Sequence, residues 1–569
     1  GYLANQATNL IYRGGLSIYI TQDLEMQDIL DTAFVKDENF PSFEDDYNAY
    51  LQYTATVLKA DGTLKNYYEE EVLQTDDEAL AYMDTLRNEW VGEGDTLKSD
   101  NYLIIPQPQA AMVVIDYYTG HVKAMISGRG DKIGNNIFDR TTQAKRQPGS
   151  TFKVLAAYLP AIDTMGFTLA DVYDDVPYTI DVPGSGAYTP KNWYSNPYNY
   201  WGLSTIREGI QWSMNILAVR TMFDIGIDTG FEYLKDLGFT TLVERDERNG
   251  QTFTDKVISL PLGGITDGVT LLELTSAYGT IANNGVYVEP IFYTKVLNHD
   301  GSILLLKEPE THTVMKETTS FLLNNAMEDV VNSGTATPGR FEGLHIAGKT
   351  GTTSDQKDLA FIGFTPYYVA GIWMGHDQPE KMIHNSSYHK ILWKDVMSQI
   401  HTDLEDKSFP MPEGIVRLAI CKESGLLPVE GLCTEDPRGS AVRYEYFVRG
   451  TQPTETCDVH VKATKCVDSM LLPTEYCPAT SLEERVFTAR REPLNPENWD
   501  PADPQRIKDF EFELLMNKEE EYCNIHNEFT VPEVQYDEDG NPIELEPGAP
   551  GQVGTDTLEL VQPIDLNEE

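Results

Sequence analysis

Ser150 and Lys153 lie three residues apart in Arg146-Gln147-Pro148-Gly149-Ser150-Thr151-Phe152-Lys153. Pro148-Gly149 marks a turn, and the apolar run from Phe152 to Leu159 predicts a buried helix. Ser150 then sits at the helix entrance, where unpaired backbone N–H groups favour a developing negative charge. Lys153 falls on the same face one turn later. A hydroxyl becomes a nucleophile when a base takes its proton, and a desolvated neutral lysine is such a base. Taken alone, the pair also describes a helix-capping serine and a surface lysine. Two later stretches add chemistry. Trp212-Ser213-Met214-Asn215 offers a hydroxyl and an amide two residues apart, inside a stretch predicted as helical, Ser204 to Phe223. Lys349-Thr350-Gly351-Thr352-Thr353 combines a cation with hydroxyls and a glycine, just before the predicted strand Leu359 to Phe364.

The elements that must position these residues alternate in type. Ala110 to Asp116 reads as a buried strand, turned back by Tyr118-Thr119-Gly120-His121 into Val122 to Ile126, immediately before the serine turn. Thr270 to Asn283 and Thr318 onward read as helices, with Gly334-Thr335-Ala336 closing the second, and Ser386 to His401 as a further helix. Leu359 to Gly375 is uncharged, but Thr365-Pro366 divides it into two strands and a turn, so it is no bilayer span. Upstream, a β-like run at Leu16 to Thr21 and a helix around Leu24 to Leu30 precede an acidic, tyrosine-rich stretch. That stretch holds an amphipathic helix near Asp76 to Trp90. Its acidic triplets, Glu69 to Glu71 and Asp76 to Glu78, have no ligand spacing and read as solvated surface. Asp181 to Tyr200, rich in proline, glycine, tyrosine and asparagine, reads as a loop.

The chain has 569 residues and a net charge of −47, which argues against nucleic acid or an anionic membrane surface as the main partner. None of the ten histidines lies in an H-E-x-x-H sequence, which removes a metallopeptidase reading. All six cysteines follow residue 420: Cys421, Cys433, Cys457, Cys466, Cys477 and Cys523. An even number confined to a loop-rich region suggests disulfides and an oxidising setting, with Cys421 and Cys433 as a pair close enough to bridge. Cys457-x-x-His460 and Cys523-x-x-His526 together would instead supply one Cys2His2 zinc set, and free thiols are the third alternative. The expectation is a disulfide, with no metal and no cofactor. The stretch from Val531 to Glu569 is acidic, proline-rich and without a basic residue, and predicts disorder.

S-x-x-K, S-x-N and K-T-G in this order are the set of the penicillin-recognising serine acyltransferases. Residues from about Gly14 to Asp377 resemble the transpeptidase half of a class A (bifunctional) penicillin-binding protein. Arg13 to Thr21 is similar to that family's linker, and Lys191-Asn192-Trp193-Tyr194 to a stretch beside its cleft. The resemblance implies an α/β (α+β) transpeptidase fold, a five-stranded antiparallel sheet flanked by helices, and an all-helical lobe. The expected division is 1–105 as linker and pedestal, 106–408 as the penicillin-binding transpeptidase domain, 409–530 as a cysteine-containing accessory domain and 531–569 as the tail. Further implications are a membrane helix and a glycosyltransferase domain upstream in a longer parent, and work on the extracytoplasmic face of a bacterial membrane.

By the same resemblance Ser150 is the nucleophile, Lys153 the base, Ser213 a proton relay, Asn215 an orienting amide and Lys349 an electrostatic anchor. Thr350, Gly351, Thr352 and Thr353 would hold substrate, and the backbone N–H groups of Ser150 and Thr352 would form the oxyanion hole. Stem peptides ending in D-Ala-D-Ala and β-lactams are the implied partners, with no nucleic acid. The implied reaction is crosslinking through an acyl-enzyme. Hydrolytic variants (carboxypeptidase or β-lactamase) and a silent β-lactam sensor are the alternatives. Met214 stands where β-lactamases commonly carry aspartate, and no E-x-x-L-N follows, so a penicillin adduct is expected to be long-lived.

Overall fold

The protein is described here by a computed structural model. It covers residues 2–41, 48–132, 137–182, 186–195, 197–382, 387–469, 471–491, 506–509 and 522–528, with side chains from Gln6 onward. The expected disordered tail, 531–569, lies outside these residues. The chain divides into two compact units, one of residues 1–165, 210–213 and 218–413, the other of residues 166–209, 214–217 and 414–569. Segments 166–209 and 214–217, expected within a 106–408 domain, therefore fold with residues after 413.

The first unit is built on a five-stranded antiparallel sheet. Its order is Ala347–Thr352, Asp358–Phe364, Val369–Gly375, Gln109–Asp116, His121–Ile126. The strands Asp358–Phe364 and Val369–Gly375 are buried along their whole length. Both faces are covered, which is why these strands read as continuous apolar runs rather than alternating ones. The register assigns the faces. Gly371 pairs with Ile362, and Gly363 is the next residue along, so the two glycines point to opposite sides. A Cβ on Gly371 would meet Thr275 Oγ1 of the helix Leu271–Ala282 at 2.0 Å, and one on Gly363 would meet the Trp393 indole of the helix Tyr388–Ile400 at 2.5 Å. Helices thus press on both faces, and the sheet carries glycine where they come closest. Leu271–Ala282 begins with a capping box, Thr270 with Glu273, and is buried almost all round. Glu317–Asn332 packs along the edge strand Ala347–Thr352.

Upstream in this unit, Ser17–Ile20 pairs with Tyr293–Leu297 and the helix Leu24–Phe34 is capped by Asp23. The acidic stretch read only for its helix also holds a three-stranded sheet, with Asn48–Leu58 between Leu64–Leu73 and Thr96–Gln107. The helix Asp76–Trp90 lies on it, and Trp90 stacks with Tyr53 and Tyr67 at ring distances of 5.1 and 5.0 Å. The strands escaped sequence reading because Leu64–Leu73 carries charges such as Glu69 to Glu71 and buries no residue fully, while in Asn48–Leu58 three consecutive buried residues, Ala49 to Leu51, break the alternation.

In the second unit Val172–Asp175 pairs with Gly202–Thr205, and two hairpins follow: Ile415–Cys421 with Val442–Val448, and His460–Cys466 with Leu482–Thr488. Arg207 and Glu445 form a bidentate ion pair at 2.7 and 2.6 Å, buried on both sides. Gly425, at φ +75°, lies against the backbone of Ala170, where a Cβ would stand 2.3 Å from the carbonyl oxygen. These contacts join 166–209 to the region after 413.

Candidate active site

The serine turn is clamped from both sides before it enters its helix. Gln147 exchanges hydrogen bonds with the Ile265 backbone, and Arg146 exchanges backbone bonds with Val269 while its guanidinium lies 4.8 Å from the Trp373 ring. Gly149, at φ +54°, sits between two other backbones. A Cβ there would meet the Thr352 carbonyl oxygen at 2.7 Å, and one on Gly263 would meet Gly149 N at 2.3 Å. Glycine is required at both positions. From Gly149 the chain makes one 3₁₀ turn through Ser150 to Thr151, then a π-helical stretch Lys153–Tyr158, then the α-helix Leu159–Thr164. The expected buried helix is present, but with this tightened and then widened start, a pattern that recurs at functional sites. Tyr278, fully buried, donates to Thr151 O at 2.6 Å and fixes the entrance.

Ser150 is half-buried at this entrance, whereas Lys153 is completely buried. The Lys153 amine donates to the backbone oxygen of Ser213 and to its hydroxyl, at 3.1 Å for the latter. Lys349, also fully buried, donates to the same hydroxyl at 2.8 Å. One oxygen therefore bridges two amines that come from a helix and a strand. Burial pushes Lys153 well below the ordinary lysine range, and the neighbouring Lys349 charge pushes it further. Burial also brings Lys349 down to about 7. Taking an amine out of water penalises its charged form, which favours the neutral one.

Ser213 does not lie within a helix, contrary to the reading of Ser204 to Phe223 as one element. That stretch is the strand Gly202–Thr205, the helix Ile206–Gln211, a break, and the helix Asn215–Ile225. Ser213 occupies the break with φ +56°, a left-handed conformation uncommon outside glycine. Within a continuous helix its carbonyl would be turned into the backbone ladder, whereas in the break it accepts from Lys153. Strain of this kind concentrates where geometry is functional. Asn215 belongs to the second unit. There its amide donates to Lys191 O at 2.6 Å, and its backbone N–H donates to the Asn192 side chain at 3.0 Å. Asn192 and Tyr194 in turn hold Asp175, whose carboxyl burial raises to about 6.

The strand Ala347–Thr352 is the sheet edge next to the serine turn. Lys349 and Gly351 share one face, and a Cβ on Gly351 would meet Pro148 O at 2.7 Å. Thr350 alternates to the other face, where its hydroxyl pairs with that of Thr335 at 2.8 Å. The Thr335 carbonyl accepts from Lys390 at 3.1 Å. Thr352 is exposed, with its backbone against Gly149. Thr353 is committed to the hairpin that follows, its hydroxyl accepting from Asp358 N at 2.9 Å. Sequence reading missed Thr335, Gln147 and Tyr278. For Thr335 the signal was slight, since Gly334-Thr335-Ala336 looked only like a helix end.

The expected Cys421–Cys433 disulfide is not present: both are free thiols, as are the other four. The single Cys2His2 set built from the two C-x-x-H pieces is not formed either. Cys421 and Cys433 converge with Cys457 and His460, and Cys466 and Cys477 converge with Cys523 and His526. Each C-x-x-H piece is completed by two cysteines that precede it in sequence, so the pieces never meet.

The penicillin binding protein transpeptidase domain family matches residues 110–397, and the C-terminal domain family of penicillin-binding protein 1A matches residues 411–462. A protein of Clostridium botulinum named penicillin-binding protein 1A is 35% identical over 392 residues, 67% of this chain and 46% of its own length. Penicillin-binding protein 1F of Bacillus subtilis is 36% identical over 300 residues, 51% of this chain and 39% of its own. The chain thus spans about half the length of the curated relatives it matches. In fold it is similar to penicillin-binding protein 1A of Haemophilus influenzae, with a TM-score of 0.56 at 21% identity over 80% of this chain and 76% of that one. It is also similar to PonA1 of Mycobacterium tuberculosis in complex with penicillin V, with a TM-score of 0.52 at 20% identity over 72% of this chain and 92% of that one. Half of the chain, carrying Ser150, Lys153, Ser213 and Lys349 in the register just described, belongs to the penicillin-binding protein transpeptidase domain family.

Proposed function

We propose that this chain is a peptidoglycan D,D-transpeptidase working through a serine acyl-enzyme, on stem peptides ending in D-Ala-D-Ala, and is acylated by β-lactams. The observation that carries the reading is the Ser213 hydroxyl bridging two fully buried amines beside the Ser150 turn. In this scheme Ser150 Oγ attacks the penultimate D-Ala carbonyl while neutral Lys153 takes its proton. The C–N bond then breaks, and the proton returns through Ser213 to the departing D-Ala amine. An acceptor amine attacks the ester, loses a proton to the same base and releases Ser150. Lys349, when protonated, anchors the substrate carboxylate beside the edge strand Ala347–Thr352, along which an extended peptide can pair. Approach of the Thr352 backbone to Gly149 supports a pocket for the oxyanion between the Ser150 and Thr352 N–H groups.

Among the described residues no helix is long and apolar enough to cross a membrane. Action on the outer face of the membrane, on behalf of an anchored parent, remains part of this proposal, as does the role of 1–105 as a pedestal. The test is product analysis with a D-Ala-D-Ala donor and an amino-acid or peptide amine acceptor. Amide formation in preference to hydrolysis is the expected result. Release of the free acid alone, at saturating acceptor, would replace transpeptidation by hydrolysis.

A further inference from the structure

The region after residue 413 contains an internal repeat. Cys421-x-x-Ser424-x-Leu426-Leu427-Pro428 is matched by Cys466-x-x-Ser469-x-Leu471-Leu472-Pro473. Each copy starts from the last residue of a hairpin strand, Ile415–Cys421 or His460–Cys466, and each ends in a C-x-x-H piece, Cys457 to His460 or Cys523 to His526. The backbone repeats as well. Cys421 N donates to Leu426 O and Cys466 N to Leu471 O, both at 2.8 Å. Cys457 N donates to Leu427 O and Cys523 N to Leu472 O, both at 2.7 Å. The same four-ligand plan is therefore built twice on the same scaffold.

In each copy three sulfurs and one imidazole nitrogen lie within 4.8 Å of one another. His460 Nδ1 is 3.4 Å from both Cys421 Sγ and Cys457 Sγ, and His526 Nδ1 is 3.3 Å from both Cys466 Sγ and Cys523 Sγ. Cys466 and Cys523 sulfurs stand 3.7 Å apart. Zinc bonds to sulfur and nitrogen, taken as the radii of a tetrahedron, give edges of roughly 3.8 Å between sulfurs and about 3.5 Å between sulfur and nitrogen. A disulfide would need about 2.05 Å. Three thiols per cluster also leave one unpaired in any disulfide scheme. Backbone N–H groups point at the sulfurs, from Val429 to Cys433 at 3.2 Å and from Thr474 to Cys477 at 3.3 Å, as suits thiolates. The far nitrogen of His460 meets Asp436 at 2.7 Å, which fixes Nδ1 as the free ligand atom.

We propose that the second unit binds two structural zinc ions, one at Cys421, Cys433, Cys457 and His460, the other at Cys466, Cys477, Cys523 and His526. Four protein ligands leave no open position, so both sites staple loops and take no part in acyl transfer. Metal binding displaces protons from the thiols and is coupled to folding of the ligand loops. The experiment is elemental analysis of the whole chain, purified reduced and without chelator, alongside Cys433→Ser and Cys477→Ser. Two zinc ions per chain, falling to one in each variant, is the expected result. Should a variant fail to fold, titration of the wild-type metal-free chain with cobalt(II) replaces it, with thiolate-to-cobalt absorption saturating at two equivalents. No stoichiometric zinc, a chain lighter by two hydrogens per disulfide, or saturation at a single equivalent would overturn the assignment. None of these readouts involves Ser150, so they stand or fall apart from the transpeptidase reading.

Discussion

At the scale of single residues, the two lysines are alike in burial and unlike in origin. Lys153 follows Ser150 by three residues and in the proposed scheme takes its proton, whereas Lys349 comes from the sheet edge and meets the same Ser213 hydroxyl. Lys153→Arg keeps a charge but supplies no neutral amine, so the second-order acylation rate is expected to fall by roughly 10²–10⁴-fold. Lys349→Arg is expected to be milder, with most of the loss in apparent affinity. The pH profile separates them further. The free-enzyme profile of acylation rises as Lys153 loses its proton, then falls as Lys349 passes its value of about 7 and ceases to be a cation. In Lys349→Arg the falling limb is expected to move out of the measurable range, because a guanidinium stays charged. Rate measurements across pH decide this, and greater damage from Lys349→Arg than from Lys153→Arg would reverse the roles. The sequence carried the identity of these residues because S-x-x-K is local. It could not carry the Ser213 bridge, which joins Lys153, Ser213 and Lys349 from far apart in the chain.

At the scale of elements, the site depends on backbones that approach too closely for side chains. Gly149 combines positive φ with a Thr352 contact that a Cβ would overlap. Gly149→Ala is expected to push the serine turn off the sheet edge and lower acylation by an order of magnitude or more, since small misplacements of reacting groups are costly. Circular dichroism should remain native. Unchanged acylation in a folded Gly149→Ala protein would remove the pocket between Ser150 and Thr352 from the account. Pro148-Gly149 was legible as a turn, and Leu359 to Gly375 as two strands. The break at Ser213 was not, since Ile206 to Ile225 satisfies helical periodicity on both sides and only tertiary bonding to Lys153 selects the left-handed residue. The paired cysteine clusters were obscured for a different reason. Sulfur count alone suggested bridges, and the feature that aligns the two halves is only a short Ser-x-Leu-Leu-Pro after each leading cysteine.

At the scale of the molecule, sequence order and spatial units do not coincide. A linear cut near residue 408 looked natural because composition changes there, yet 166–209 folds with the region after 413. The Arg207–Glu445 pair makes that dependence measurable, because Glu445 is the bidentate partner of a buried guanidinium. Glu445→Ala is expected to destabilise the protein by about 3–5 kcal/mol. Urea unfolding is the measurement, with a lowered midpoint and an unchanged slope. A chain ending at 408 is expected to lose protease resistance within 166–209. Equal resistance in the shortened chain would show that this segment folds without its partners.

The central claim, that Ser150 is the acylated residue, is tested most directly by intact-mass measurement after penicillin, followed by peptide mapping. One adduct per chain is expected, on the peptide holding Ser150, persisting because no deacylating glutamate is identifiable, and absent from a folded Ser150→Ala protein. An adduct on another peptide, or one that survives in Ser150→Ala, would contradict the account.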